Sequence, residues 1–137
     1  MAHGLKLHTF CTLLWDKRPI WNRDIDKCAD DGILTVLEQR TGTPFERVRA
    51  STLAAYEGAL YERHNAFGNT FWIMPLGIYH RIRRMHGVQY CPSCLEEDKT
   101  PYFRRAWRLA FVTVCAKHRR LLLDACPRCD GPVNFHR

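Results

Sequence analysis

The chain has 137 residues, 46% hydrophobic and 12% aromatic, enough to bury one modest core with a small stapled appendage and no more. Its longest apolar run, Leu109 to Val114, is broken by Thr113 and is far too short for a bilayer, and no small-residue cleavage site follows Phe10 to Trp15; a soluble, cytoplasmic protein without a membrane contact is expected. The net charge of +7 is uneven: Met1 to Leu76 holds nine Lys and Arg against nine Asp and Glu, Gly77 to Arg137 twelve against five, so the second half reads as a surface for nucleic acid or an acidic protein.

Leu7, Phe10, Cys11 and Leu14 recur at helical spacing and predict a short helix from about Lys6 to Trp15, with Cys11 in the core. Pro19 ends that segment, and Trp21 is an apolar anchor expected to pack back on the helix. Asp24, Asp26, Asp30 and Asp31 lack the glycine-centred spacing and terminal Glu of a calcium loop, and read as helix caps and surface charge. A second helix is expected from about Asp31 to Arg40, facing Ile33, Leu34, Leu37 and Val36 inward, with Gly42 as its left-handed cap. Thr43-Pro44-Phe45-Glu46 has the form of a capping box, with Thr43 accepting from the Glu46 amide and Pro44 at the first helical position. A further helical stretch then places Leu53, Tyr56 and Leu60 on one face. Helix, glycine turn, helix is the pattern of a helix-turn-helix, in which Arg47 and Arg49 would face DNA. Small helical domains use the same turn without nucleic acid, and this half of the chain is electrically neutral.

Between the halves, the apolar run Phe71 to Met74 is too costly for a flexible linker and predicts a packed connector rather than a partner-facing strip. Ile78, Ile82 and Met85 mark one face of an expected helix ending at Gly87, with Arg81, Arg83 and Arg84 placed for phosphate contact. Trp107 to Val114 alternates like a strand, and Leu121 to Leu123 should pair as another. Arg104, Arg105 and Arg108 interleave with Tyr102, Phe103 and Trp107; Trp107 reads as core and the arginines as partner contacts. The fold expected is a small α+β: a mostly helical part over 1–76 with a helix-turn-helix-like pair, and a zinc-ribbon-like part over 77–137 with short strands.

Chemistry concentrates in three pairs of one step: Cys91-Pro92-Ser93-Cys94, Cys115-Ala116-Lys117-His118 and Cys126-Pro127-Arg128-Cys129. Two intervening residues let the backbone form a knuckle that aims both side chains at one ion. An odd cysteine count and a histidine at a ligand position argue against disulfides, and three pairs argue against a single redox dithiol, so zinc is the expected cofactor. Its role is structural, since no His-x-Glu accompanies the cysteines as in zinc deaminases. Cys91, Cys94, Cys115 and His118 make one complete set, which leaves Cys126 and Cys129 as a half site. Either a downstream pair that this sequence lacks completes it, or His136 adds a poor third ligand, or the second and third pairs share one ion across a gap of seven residues.

The run Tyr90-Cys91-Pro92-Ser93-Cys94-Leu95, Glu97-Asp98, Pro101 to Arg104, Ala106 to Leu109, Phe111-Val112, Cys115, His118, Leu121 to Asp124 and Cys126-Pro127-x-Cys129 resembles the TniQ family of transposition proteins. Ile20 to Asp24, Thr52-Leu53-x-x-Tyr56-Glu57-Gly58 and Trp72-x-x-Pro75-Leu76-Gly77 extend the resemblance over most of the chain. Relative to that family the opening segment is short, and a fourth metal-binding pair is absent from the sequence. The resemblance implies a helix-turn-helix-like fold in the first part. It also implies a non-catalytic adaptor that binds target DNA or a targeting complex, in some members an RNA-guided CRISPR effector, and links it to an AAA+ ATPase and a transposase. The competing expectation is a stand-alone zinc-containing regulator binding DNA or RNA. No acidic triad, phosphate-binding glycine loop with Lys, or paired nucleophile and base supports an enzyme. The half site is also compatible with a homodimer sharing ligands, or with a longer natural chain.

Overall fold

A computed structural model describes residues 4–18, 20–76, 78–79, 82–83 and 86–133, of which 78–79 and 82–83 are described by their backbone alone. The chain divides into two compact units between Gly68 and Asn69, so Trp72 and Leu76 belong to the second.

In the first unit, α1 (Leu7–Trp15) follows the expected stripe and buries Cys11. Cys11, Ile20 and Ile33 form a core on which Leu7, Trp15, Trp21 and Ile25 pack, so Trp21 does fold back as an anchor. The Trp15 indole nitrogen donates to the carbonyl of Ile33 at 3.2 Å, tying α1 to α3. A single turn, α2 (Ile25–Cys28), precedes α3 (Asp31–Thr41). Asp30 caps α3 through its side chain, accepting from the Ile33 amide at 3.0 Å, while two guanidinium nitrogens of Arg18 hold its other lone pairs. That guanidinium keeps the Asp30 carboxyl below the usual carboxylate range. Gly42 closes α3 at φ 67°, and its amide reaches the carbonyl of Glu38 at 2.8 Å.

After this turn comes α4 (Phe45–Ala50), which completes the helix-turn-helix-like pair with α3. The expected capping box does not form: Pro44 occupies the N-cap, and the Phe45 amide donates to the Glu38 carboxylate of α3 at 2.9 Å. A carboxylate already positioned by the preceding helix satisfies the orphan amide in place of Thr43. The following stretch is not one continuous helix. α4 stops at Ala50, and a 3-10 turn over Leu53–Tyr56 sinks Leu53 to 0% exposure. His64 then pins the loop beyond Gly58, contacting the Lys27 carbonyl at 2.7 Å and the Tyr61 hydroxyl at 3.2 Å.

The second unit differs from expectation in two places. The helix expected over 78–85 is not what the described residues form: β1 (Ile78–Tyr79) pairs antiparallel with β2 (Ile82–Arg83). Apolar residues four apart point to a helical face, and the register that forms, Ile78 opposite Arg83 and Tyr79 opposite Ile82, is one this spacing does not signal. Trp107 to Val114 is not one strand either. A 3-10 turn over Arg105–Arg108 leads to a single bridge between Leu109 and Ile73, and a strand resumes only at β3 (Val114–Cys115). β3 pairs with β4 (Arg120–Leu121), and Leu123 bridges Tyr90 just before the third knuckle. The connector packs in part: Ile73 and Leu76 are buried, whereas Phe71 is 84% and Trp72 56% exposed. Trp72 sits at φ 67° with its ring edge-on to Phe111, 5.8 Å between centroids. Among the described residues no helix is long and apolar enough to cross a membrane.

Candidate metal centre

The core of the second unit is a cluster of sulfur and aromatic rings: Cys91, Cys94, Cys115 and Trp107 are buried together, with Tyr90, Leu95 and Leu122 packed on them. Two local structures aim the ligands. Cys91 is the N-cap and Cys94 the third residue of α5 (Pro92–Glu97), whose first helical position is a proline with no amide to lose. Cys115 ends β3 and His118 lies in the turn to β4, where Arg119 adopts φ 49° and its amide returns to the Cys115 carbonyl at 2.7 Å.

These elements bring the ligand atoms of Cys91, Cys94, Cys115 and His118 within 4.8 Å of one another. His118 Nδ1 lies 3.3 Å from the Cys91 and Cys94 sulfurs and 3.5 Å from that of Cys115, and the Cys94 and Cys115 sulfurs are 3.6 Å apart. A tetrahedral zinc with ordinary bond lengths has edges of about 3.8 Å between sulfurs and about 3.6 Å between sulfur and nitrogen. The donor set therefore fits such an ion in number, type and spacing, and could bind a metal such as zinc.

Electrostatics point the same way. The His118 amide donates to the Cys115 sulfur and draws that thiol down to about 6, while burial pushes Cys94 up to about 11. Three sulfurs this close do not all ionise without a cation among them, and a divalent ion leaves the set with one residual negative charge. His118 Nε2 faces Glu97 Oε1 at 2.9 Å, and Lys117 Nζ meets the other oxygen, Oε2, at 2.6 Å. Lys117 first, then His118, holds the Glu97 carboxyl low, and Glu97 in turn raises His118. In the sequence Glu97 stands out only within the family-like run, and its one local signal is its position three residues after Cys94, on the same helical face.

The third pair stands apart from this set, with Cys126 half-buried and Cys129 exposed. Its backbone nevertheless repeats the second knuckle: the Asp130 amide returns to the Cys126 carbonyl at 2.8 Å and Asp130 has φ 55°. The amide of Arg128, then that of Cys129, donates to the Cys126 sulfur and lowers it.

The arginines singled out from the sequence scatter. Arg47 and Arg49 are exposed on α4. Arg104 is occupied inside the unit: it pairs with Asp98 at 2.9 Å, and its guanidinium lies 4.6 Å from the Tyr102 ring centre and 4.8 Å from that of Trp107. Arg105 is half-buried. Arg108, read as a contact, is 2% exposed and donates to the Met74 carbonyl at 3.1 Å, so it braces the connector instead. Arg83 lies in β2, and Arg81 and Arg84 fall outside the described residues, as does Pro19. With paired strands at Ile78–Tyr79 and Ile82–Arg83 in place of the expected helix, no single helical face presents the three arginines of this stretch.

Neither a curated protein nor a solved structure matches the chain. One family model does, over residues 1–122, a span that includes the helical pair and the whole Cys3His set and ends before the third knuckle. The chain therefore belongs to the TniQ family, whose members are generally non-catalytic components of transposition, and is a transposition-associated protein.

Proposed function

We propose that this protein is a non-catalytic transposition adaptor that engages target DNA or an RNA-guided targeting complex and presents it to an AAA+ ATPase and its transposase. The observation that carries the reading is the family match across residues 1–122. In this reading zinc at Cys91, Cys94, Cys115 and His118 is a clamp: it fixes α5 against the β3–β4 hairpin and performs no chemistry. Cys126 and Cys129, whose knuckle has the backbone of the second, supply two further thiolates for a second ion. On the first unit, Arg47 and Arg49 extend from the short second helix of the helix-turn-helix-like pair and meet phosphate.

The test is binding of the zinc-loaded protein to a short duplex, with and without a cognate AAA+ transposition ATPase. An adaptor binds bare DNA weakly and gains affinity in a ternary complex with the ATPase. Alanine at Arg47 and Arg49 lowers binding evenly across sequences and flattens the salt dependence by about two units of log-log slope. Tight, sequence-selective binding by the isolated protein, indifferent to the ATPase, would instead identify a free-standing DNA-binding regulator.

A further inference from the structure

We propose that Glu97 is a positioning residue of the metal centre: it fixes the His118 tautomer so that Nδ1 is the ligand atom, and Lys117 holds it in place. The inference rests on the metal reading above. A neutral imidazole offers a metal one lone pair, and whichever nitrogen carries the hydrogen is lost as a ligand. In this protein Nδ1 is the nitrogen that faces the three sulfurs, at 3.3, 3.3 and 3.5 Å. Nε2 points the other way, 2.9 Å from Glu97 Oε1, so it donates and Nδ1 is left bare.

The arrangement is built from residues close in sequence to the ligands themselves. Glu97 lies on α5, the helix that supplies Cys94, and Lys117 directly precedes His118 in the hairpin turn. The Lys117 ammonium takes Oε2 at 2.6 Å, which leaves Oε1 for the imidazole and offsets the charge that a carboxylate adds beside three thiolates. The His118 side chain is only 14% exposed, so water is a poor substitute acceptor at Nε2. A carboxylate behind a histidine ligand also raises its basicity, and loss of such a partner commonly weakens metal binding about 10–100-fold.

The experiment uses the full chain loaded with zinc, titrated against a chromophoric chelator, with nitrogen-15 NMR of the His118 ring as a second readout. In the parent protein Nδ1 should show the shift of a metal-bound nitrogen, and Nε2–H should exchange slowly with solvent. Glu97→Ala should keep the zinc stoichiometry at saturating metal, weaken affinity about 10–100-fold and speed Nε2–H exchange. Glu97→Gln retains an acceptor oxygen and should lose less affinity, with the tautomer preserved. A Glu97→Ala protein that holds zinc as tightly as the parent, with its Nε2–H equally protected, overturns the proposal and leaves the metal reading standing. A parent protein that takes up no stoichiometric zinc overturns both.

Discussion

Replacing Gly87 by alanine tests the packing that carries the metal centre. A Cβ at Gly87 would lie 2.2 Å from the Pro75 carbonyl oxygen, 2.6 Å from its carbon and 2.9 Å from the Leu76 nitrogen, all backbone atoms. Carbon and carbonyl oxygen approach no closer than about 3.3 Å, so the two segments must part by about 1 Å. Gly87 is not in the left-handed region; what the site needs is space. Neither segment is free to retreat, because both are tied to the 3-10 turn at Arg105–Arg108. Met74 donates to the Arg108 carbonyl at 3.0 Å, Gln89 donates to the Trp107 carbonyl at 3.1 Å, and Arg108 returns a bond to the Met74 carbonyl at 3.1 Å. Stretching one such bond costs about 0.5–1.5 kcal/mol, and overpacking about 1–3 kcal/mol. Together they place Gly87→Ala at about 1.5–4.5 kcal/mol of destabilisation. Urea unfolding of the zinc-loaded protein, followed on NMR signals of the second unit such as the Trp107 indole, should show a lower midpoint at unchanged slope. Without the clash, the loss of unfolded-state entropy would stabilise the variant by about 0.4–1 kcal/mol, so an unchanged or raised midpoint refutes the argument.

Gly32→Ala is the contrasting case: its Cβ would meet the side-chain ends of Arg18, with Nη1 at 3.1 Å, and Asp30, with Oδ1 at 3.2 Å, so the stability of the first unit should hold or rise by up to about 1 kcal/mol, read as an equal or higher urea midpoint. Leu53→Ala, at a fully buried site, should cost about 2–5 kcal/mol and show first as lost amide protection in the first unit. Asp30→Asn keeps the cap but loses the charge paired with Arg18. Because the folded carboxyl titrates below its unfolded value, its contribution is present above about pH 4 and lost as pH falls further. The pair is half exposed, so the gap between parent and variant should be under about 1 kcal/mol at pH 6 and close by pH 3 in urea melts. Cys94→Ser should abolish the first equivalent of zinc in elemental analysis, whereas Cys129→Ser should retain it; equal loss from both would return the grouping of the ligands to question.

The Cys3His cluster and the first helices are legible in the sequence because their signals are local. Two residues between ligands, a stripe at Leu7 and Cys11, a glycine after Thr41 and an aspartate before Asp31 each act within one or two turns of chain, and the structure carries all of them. What the sequence left open depends on which of several available partners a group takes, some a few residues away and some more than twenty. The Phe45 amide takes Glu38 instead of a Thr43 cap, Arg108 turns inward because the Met74 carbonyl needs a donor, and Arg104 is claimed by Asp98, Tyr102 and Trp107. Ile78–Tyr79 and Ile82–Arg83 pair as strands although the apolar spacing points to a helix. Glu97 acquires a role only once the hairpin brings His118 beside it. Spacing along the chain determines which side chains one knuckle or one helical face can present; which of two locally equal arrangements forms, and which charges end up spent inside the unit, is decided by the hydrogen-bond and burial demands of segments that meet only in the folded chain.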